Sequence, residues 1–225
     1  MSCLKPGKKC MKNYKTVLKN GQKEVNINKS RFIGYCARVL NDEEANNFIQ
    51  GIKDINRDAT HNVYAYVIGL ESEIQRYSDD REPNGTAGIP IINYLKNAGL
   101  TNIAVVVTRY FGGIKLGTGG LARAYSGTAR EAIGKGKIVE AKQFIQTQLV
   151  FDYGLIGKIE NTLIHQNIVI ADKVYKEKVV FNILVEQKDS DEISESLVNL
   201  TAGQITITEL GSRYYLQDGA QLHEI

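Results

Sequence analysis

The chain has 225 residues, 43% hydrophobic and 24% charged, with a net charge of +3 at neutral pH. That composition is ordinary for a soluble globular protein, and the length allows one large core or two modest ones. No window approaches the roughly 20 consecutive apolar residues of a membrane helix. The lysine-rich start has no apolar core and does not read as a secretory signal.

The net charge hides a split. Residues 1–142 hold 22 Lys and Arg against 13 Asp and Glu, whereas 143–225 hold 6 against 12. A basic first part favours a polyanionic partner. Seven lysines against one glutamate fall within residues 1–24, however, so most of that excess sits in the tail. Met11 offers an alternative start. Cys3, Cys10 and Cys36 show neither metal-ligand spacing nor an even disulfide set, which points to a reducing, cytoplasmic setting.

In chain order, residues 1–23 read as a basic amino-terminal extension. Strand-like alternation follows at 24–27 and 30–39. Asn41 and Glu44 fit a capping box, and behind them Ala45, Phe48, Ile49, Ile52 and Ile55 recur at helical spacing. Residues 60–70 alternate as a strand, with Val63, Ala65 and Val67 on one face and Tyr64, Tyr66 and Ile68 on the other. A polar loop at 78–85 precedes a helix starting near Gly88, with Pro90 in its first turn and Gly99 at its end. Residues 103–107 read as a strand with no polar face. A glycine-rich loop and a helix over about 119–134 complete a first domain, 24–141.

Charge sign and pattern both change at 141–143, so a second domain spans 142–225. Ile145, Leu149 and Phe151 mark a strand, and Ile156, Ile159 and Leu163 a helix. Strands at 168–175 and 179–185 are joined by a tight turn at Lys176 and Glu177. Ile193, Leu197 and Leu200 sit on another helix, and a last strand opens at 205. This βαββαβ order is that of a ferredoxin-like sandwich, so the fold class is α+β in two domains.

The glycine loop, Arg109-Tyr110-Phe111-Gly112-Gly113-Ile114-Lys115-Leu116-Gly117-Thr118-Gly119-Gly120, carries the most chemical information. Its five glycines either permit a tight strand-to-helix turn or let an anion approach backbone N–H groups at a helix start. The spacing matches neither the P-loop nor the dinucleotide fingerprint. On the helix that follows, Ala122, Tyr125, Ala129, Ala132 and Ile133 gather on one side, and Arg123, Ser126, Gly127 and Arg130 on the other. With the apolar stripe against a sheet, the arginines point outward together. Arg109, Lys115, Arg123 and Arg130 then converge on a cationic groove, and arginine suits phosphate through its paired donors.

The loop Ser78-Asp79-Asp80-Arg81-Glu82-Pro83-Asn84-Gly85 brings three carboxylates together. Asp79, Asp80 and Glu82 either bind a hard cation or make turn, cap and arginine contacts. The structural role is preferred, because no fourth ligand is evident. His61 lacks a nucleophile or orienting partner and reads as structural. Cys36 reads as a core residue. Among the aromatics, Tyr110 and Phe111 beside the basic loop are the better candidates for stacking on bases.

Taken together, Arg31-Phe32-Ile33-Gly34-Tyr35, Ala59-Thr60-His61-Asn62, Tyr64-Ala65-Tyr66, Ser78-Asp79-Asp80, Glu82-Pro83, Gly85-Thr86-Ala87-Gly88, Pro90-Ile91 and the stretch 105–125 resemble the IMPACT/YigZ family. The family usually has glycine where Arg81 stands and serine where Asn84 stands. Arg81 places a cation among the carboxylates, and it implies that this position does not need positive φ.

The resemblance implies a first domain like the second domain of ribosomal protein S5 and a second domain like the ferredoxin-like domains of elongation factor G. It implies a non-enzymatic RNA or ribosome binder associated with regulation of translation and needing no cofactor. Eukaryotic relatives regulate translation through an additional amino-terminal domain, for which this chain has no room. The alternative reading is an enzyme acting on a phosphorylated small molecule or nucleotide held by the glycine loop. A third possibility is that the acidic second domain docks a basic protein partner.

Overall fold

The computed structural model describes residues 12–225; Cys3, Cys10, Met11 and the start of the basic stretch lie outside the described residues. The chain is mixed α/β and divides into two compact units. One holds residues 13–141 with 217–220, and the other residues 142–216 with 12 and 221–225.

In the first unit, β1 (Tyr14–Val17), β2 (Gly21–Ile27), β3 (Ser30–Arg38), α1 (Asp42–Ile55), β4 (His61–Ile68), β5 (Ile74–Ser78), α2 (Gly88–Asn97), β6 (Ile103–Tyr110) and α3 (Gly117–Gly136) follow in order. Five strands form an antiparallel sheet ordered β2-β3-β6-β4-β5. Helices cover both faces. Val63, Ala65, Val67, Val105 and Val107 pack towards α2 and α3, while Tyr66, Ile68, Ala104 and Val106 pack towards α1. Alternate side chains leave opposite faces of a strand. A central strand enclosed on both sides is therefore apolar on both faces, as β6 is over residues 103–107 before it reaches Thr108 and Arg109.

Local chemistry sets the helix positions. Asn41 accepts the Glu44 N–H at 2.8 Å, and the Glu44 carboxylate reaches back to the Leu40 N–H at 2.8 Å, one residue further than a standard capping box. Ile55 breaks the expected stripe, being 74% exposed at the end of α1. The long α3 lies close on β2 and β3. At Gly21 an added Cβ would stand 2.2 Å from the Ala132 carbonyl, so only glycine lets strand and helix backbones approach this far.

The second unit contains β7 (Ile138–Phe151) from residue 142 onwards, a short 3-10 turn (Tyr153–Leu155), α4 (Ile156–His165), β8 (Val169–Tyr175), β9 (Val179–Glu186), α5 (Ser190–Leu200), β10 (Ile205–Asp218) up to residue 216 and β11 (Gln221–Glu224). Its strands are ordered β11-β10-β7-β9-β8. Leu149, Phe151, Ile159, Leu163, Phe181 and Leu197 form its main core, with Phe151 and Phe181 edge to face at 5.0 Å.

Three expectations need correction. Residues 14–17 and 21–23, expected as extension, are strand: β1 pairs with 138–141 of β7, and β2 begins at Gly21. Tyr14, Thr16 and Val17 point inward between exposed lysines, so lysine content masks the alternation. The strand β5 is absent from the sequence expectation, because an edge strand with a largely exposed Ile-Gln-Arg-Tyr-Ser sequence shows little apolar periodicity. The charge change at 141–143 falls inside the continuous strand β7, since a change of charge sign does not interrupt a backbone ladder.

Cys36 lies wholly in the core of the first unit, and its thiol donates to the Ala132 carbonyl at 3.4 Å. Burial pushes the thiol from 9.0 up to about 11. A group whose folded pKa exceeds its unfolded value contributes fully below the unfolded pKa and loses that contribution as pH rises through the folded one. Urea melts should show stability falling between about pH 9 and 11 by on the order of 2–3 kcal/mol, with Cys36→Ala flattening the fall. The same slope in both proteins would assign the effect elsewhere.

Candidate functional site

At one end of the sheet, strand register puts Phe32, Arg109 and His61 side by side across β3, β6 and β4. Position 109 continues the alternation of Val105 and Val107, so its side chain points towards α3. Arg109 is only 4% exposed. Its guanidinium donates to Glu82 Oε1 at 2.6 Å, and the Tyr125 hydroxyl on α3 donates to the same oxygen at 2.8 Å. Burial and the Glu82 charge push Tyr125 far above the usual phenol range, which keeps it a donor. His61 adds Nε2 at 3.7 Å from Glu82 and donates from Nδ1 to the Asp80 carbonyl at 2.8 Å. A carbonyl only accepts, so this hydrogen bond places the proton on Nδ1.

The other acidic side chains are also engaged. Asp79 accepts the N–H groups of Ala87 and Gly88 at 3.0 and 2.8 Å, and that of Gly85 at 2.8 Å. It thereby caps α2 from outside the helix, where the adjoining residue Ala87 has no capping side chain. Asp80 accepts the Asn62 N–H at 2.6 Å. Among the described residues, no group of three His, Cys, Asp or Glu side chains is arranged to hold a metal ion.

Arg81 corrects the expectation drawn from its identity: its φ is +71°, and that of Asp80 is +40°. The turn needs left-handed backbone here, and a non-glycine residue adopts it at a cost.

The structure separates residues that the sequence grouped. Arg109 does not join a cationic groove, because it is buried and neutralised by Glu82. Tyr110 points to the opposite face of the sheet, where its ring lies 4.2 Å beneath the Arg31 guanidinium and its hydroxyl bonds Asn56 and Asp58. It offers no open ring face on that side for a base. Phe111 is 46% exposed and lies beside the Arg109 guanidinium. Gly112 gives its N–H to Ser30 Oγ, and an added Cβ would stand 2.0 Å from the Lys29 carbonyl, so close backbone packing explains this glycine. Gly113 and Gly117 have positive φ and shape the turn; Gly119 and Gly120 lie in the first turn of α3.

Arg123 and Arg130 do come together. With Ser126 and Gly127 of α3 and Tyr94 of α2 they line a groove of about 320 Å³. A neighbouring depression of about 270 Å³ shares Arg123 and adds Ile27, Asn28, Leu116, Gly120 and Ala124. Neither is lined by a carboxylate. Lys115 is exposed in the loop and lines neither. Among the described residues, Lys115, Arg123 and Arg130 have no ion-pair partner. The start of α3 has no side-chain cap and no acidic residue in its first turn, leaving the positive end of the helix uncompensated. Sequence reasoning missed Tyr94. It sits three residues after the core residue Ile91, on the flank of the buried stripe of α2, which places it beside α3.

The profile of the Impact N-terminal domain matches residues 28–133, and that of a domain of unknown function (DUF1949) matches 149–204. The IMPACT family member YvyE of Bacillus subtilis is 44% identical over 205 residues, covering 91% of this chain and 94% of the relative. The chain belongs to the IMPACT family. YigZ of Escherichia coli, another family member, is 32% identical over 183 residues, covering 80% of this chain and 90% of its own. Protein IMPACT of Oryctolagus cuniculus matches only 93 residues at 32% identity, 40% of this chain and 29% of that protein. A solved structure described as a hypothetical protein superposes with a TM-score of 0.57 at 30% identity, covering 89% of this chain and 98% of the other.

Two substitutions test the buried support. Glu82→Gln removes one partner of an enclosed ion pair and should cost about 3 kcal/mol in chemical denaturation; a loss below about 0.5 kcal/mol, typical of a surface change, would show that the pair is dispensable. Arg81→Gly relieves left-handed strain and should raise stability by about 1 kcal/mol, measured the same way.

Proposed function

We propose that this protein is a non-enzymatic RNA binder that works with the ribosome in regulating translation, and that the outer face of α3 holds RNA phosphates. The observation that carries this reading is the groove in which Arg123 and Arg130 stand together, unpaired, with no carboxylate among the lining residues. Guanidinium groups held on a helix face offer paired donors to phosphate oxygens. The uncapped start of α3 and the exposed Lys115 extend the same positive field towards the glycine loop.

Fold and kinship support the setting. The strand order β10-β7-β9-β8 in the second unit is consistent with a ferredoxin-like label, and the first unit is proposed to resemble the second domain of ribosomal protein S5. Both kinds of domain occur in proteins that work on ribosomal RNA, and eukaryotic members of the family regulate translation. A cytoplasmic location follows from that role. No helix among the described residues is long and apolar enough to cross a membrane. Buried Glu82 accepts from both Arg109 and Tyr125 at a single oxygen, which supports a structural role for the acidic loop.

The test is binding of a labelled single-stranded RNA across a salt series, paired with co-sedimentation with ribosomes. Wild type should bind with affinity that falls steeply with salt. Arg123→Ala/Arg130→Ala should weaken binding and reduce the salt slope by about 0.7 for each phosphate that is no longer neutralised. Unchanged affinity and slope in the double variant would reject the groove as the site.

A further inference from the structure

The outer face of α3 reads Gly120, Arg123, Gly127, Arg130, Gly134. Steps of three and four residues keep these positions on one side of a helix. Most glycines that pack against the sheet in this unit have an evident reason: an added Cβ at Gly21, Gly112 or Gly136 would collide with backbone within 3 Å. Gly127 differs. It lies mid-helix in α3 without positive φ, and an added Cβ would meet nothing within 4 Å. Relative to alanine, such a glycine costs a helix about 1 kcal/mol. Neither the packing nor the backbone geometry of the fold explains it.

What a methyl group at 127 would do is enter the groove. Gly127 lines it between Arg123 and Arg130, opposite Tyr94. The bare helix backbone at this point therefore forms part of the groove wall, flanked on either side by an unpaired guanidinium one turn away. Without a side chain, a chain of linked phosphates can lie against the helix while both arginines reach its oxygens. With one, the ligand is held off by the thickness of a methyl group, and the paired hydrogen bonds lengthen.

We propose that Gly127 is a specificity-determining residue of the RNA site, admitting the phosphodiester backbone of a single RNA strand into contact with α3 between Arg123 and Arg130. This rests on the reading of the groove as the RNA site and adds the point of closest approach. It also gives the glycine an opposing pair of effects: the residue weakens the helix and strengthens the complex.

That opposition supplies the experiment. Gly127→Ala is compared with wild type for thermal unfolding midpoint and for affinity towards a labelled oligouridylate. Gly51→Ala is the matched control: Gly51 lies within α1, where an added Cβ also meets nothing within 4 Å, and it lines neither depression. Gly127→Ala should unfold at a higher temperature yet bind about tenfold more weakly, and Gly127→Leu should bind more weakly still. Gly51→Ala should gain stability and keep wild-type affinity. If Gly127→Ala binds as wild type while Arg123→Ala/Arg130→Ala does not, the close-approach inference is overturned and the RNA site stands. If wild type shows no salt-sensitive binding of the oligonucleotide, both fall.

Discussion

Glu82 and Arg109 meet at 2.6 Å where neither side chain is more than 5% exposed, and the rest of the first unit is arranged around keeping them together. A charge taken from water into an apolar interior is tolerated only with a partner and further hydrogen bonds. Tyr125 supplies one such bond, and His61 stands close by. Four pieces of chain are thereby tied at one point: the ends of β4 and β6, the acidic loop, and α3. Separating the acidic loop from β6 would strand a buried ion, and withdrawing α3 would remove one of its hydrogen bonds.

The position of the groove follows from this tie. The acidic loop is fixed at Glu82, so Asp79 is held where it caps α2, and α2 carries Tyr94 to one wall. Tyr125 sets the rotation of α3 about its axis. Its hydroxyl must reach Glu82, so residues two before and five after it are turned towards the outside. Those residues are Arg123 and Arg130. One helix therefore hydrogen-bonds a buried carboxylate with one face and leaves two cations unpaired on the other. The unpaired cations lie outside, where water solvates them.

The glycines of the loop divide by physical cause rather than by proximity to a ligand. Gly112 is demanded by the Lys29 carbonyl, and Gly113 and Gly117 by the left-handed turn that leads into α3. Gly127, outside the loop, has no such demand. Richness in glycine is thus a poor guide to function, because the glycines at 112, 113 and 117 each answer to the fold itself.

Much of the first unit is legible in the residues alone. Alternation sorts Val63, Ala65 and Val67 from Tyr64, Tyr66 and Ile68, and helical spacing puts Arg123 and Arg130 opposite Tyr125, because both patterns are local consequences of backbone geometry. Arg109 is misplaced by the same reading for the opposite reason. Its neighbours Gly112 and Lys115 make it look like part of a basic loop, and only the folding of residue 82 onto β6 decides that its charge is cancelled inside. Tyr94 escapes notice since nothing in the order of residues says that α2 and α3 lie side by side. Even Arg81 misleads, because a residue's identity records what the backbone tolerates, not what the turn would prefer. The chain by itself determined periodicity, caps and which side chains share a face. Tertiary structure alone decided which charges are paired, since pairing depends on distances between segments that covalent order leaves free.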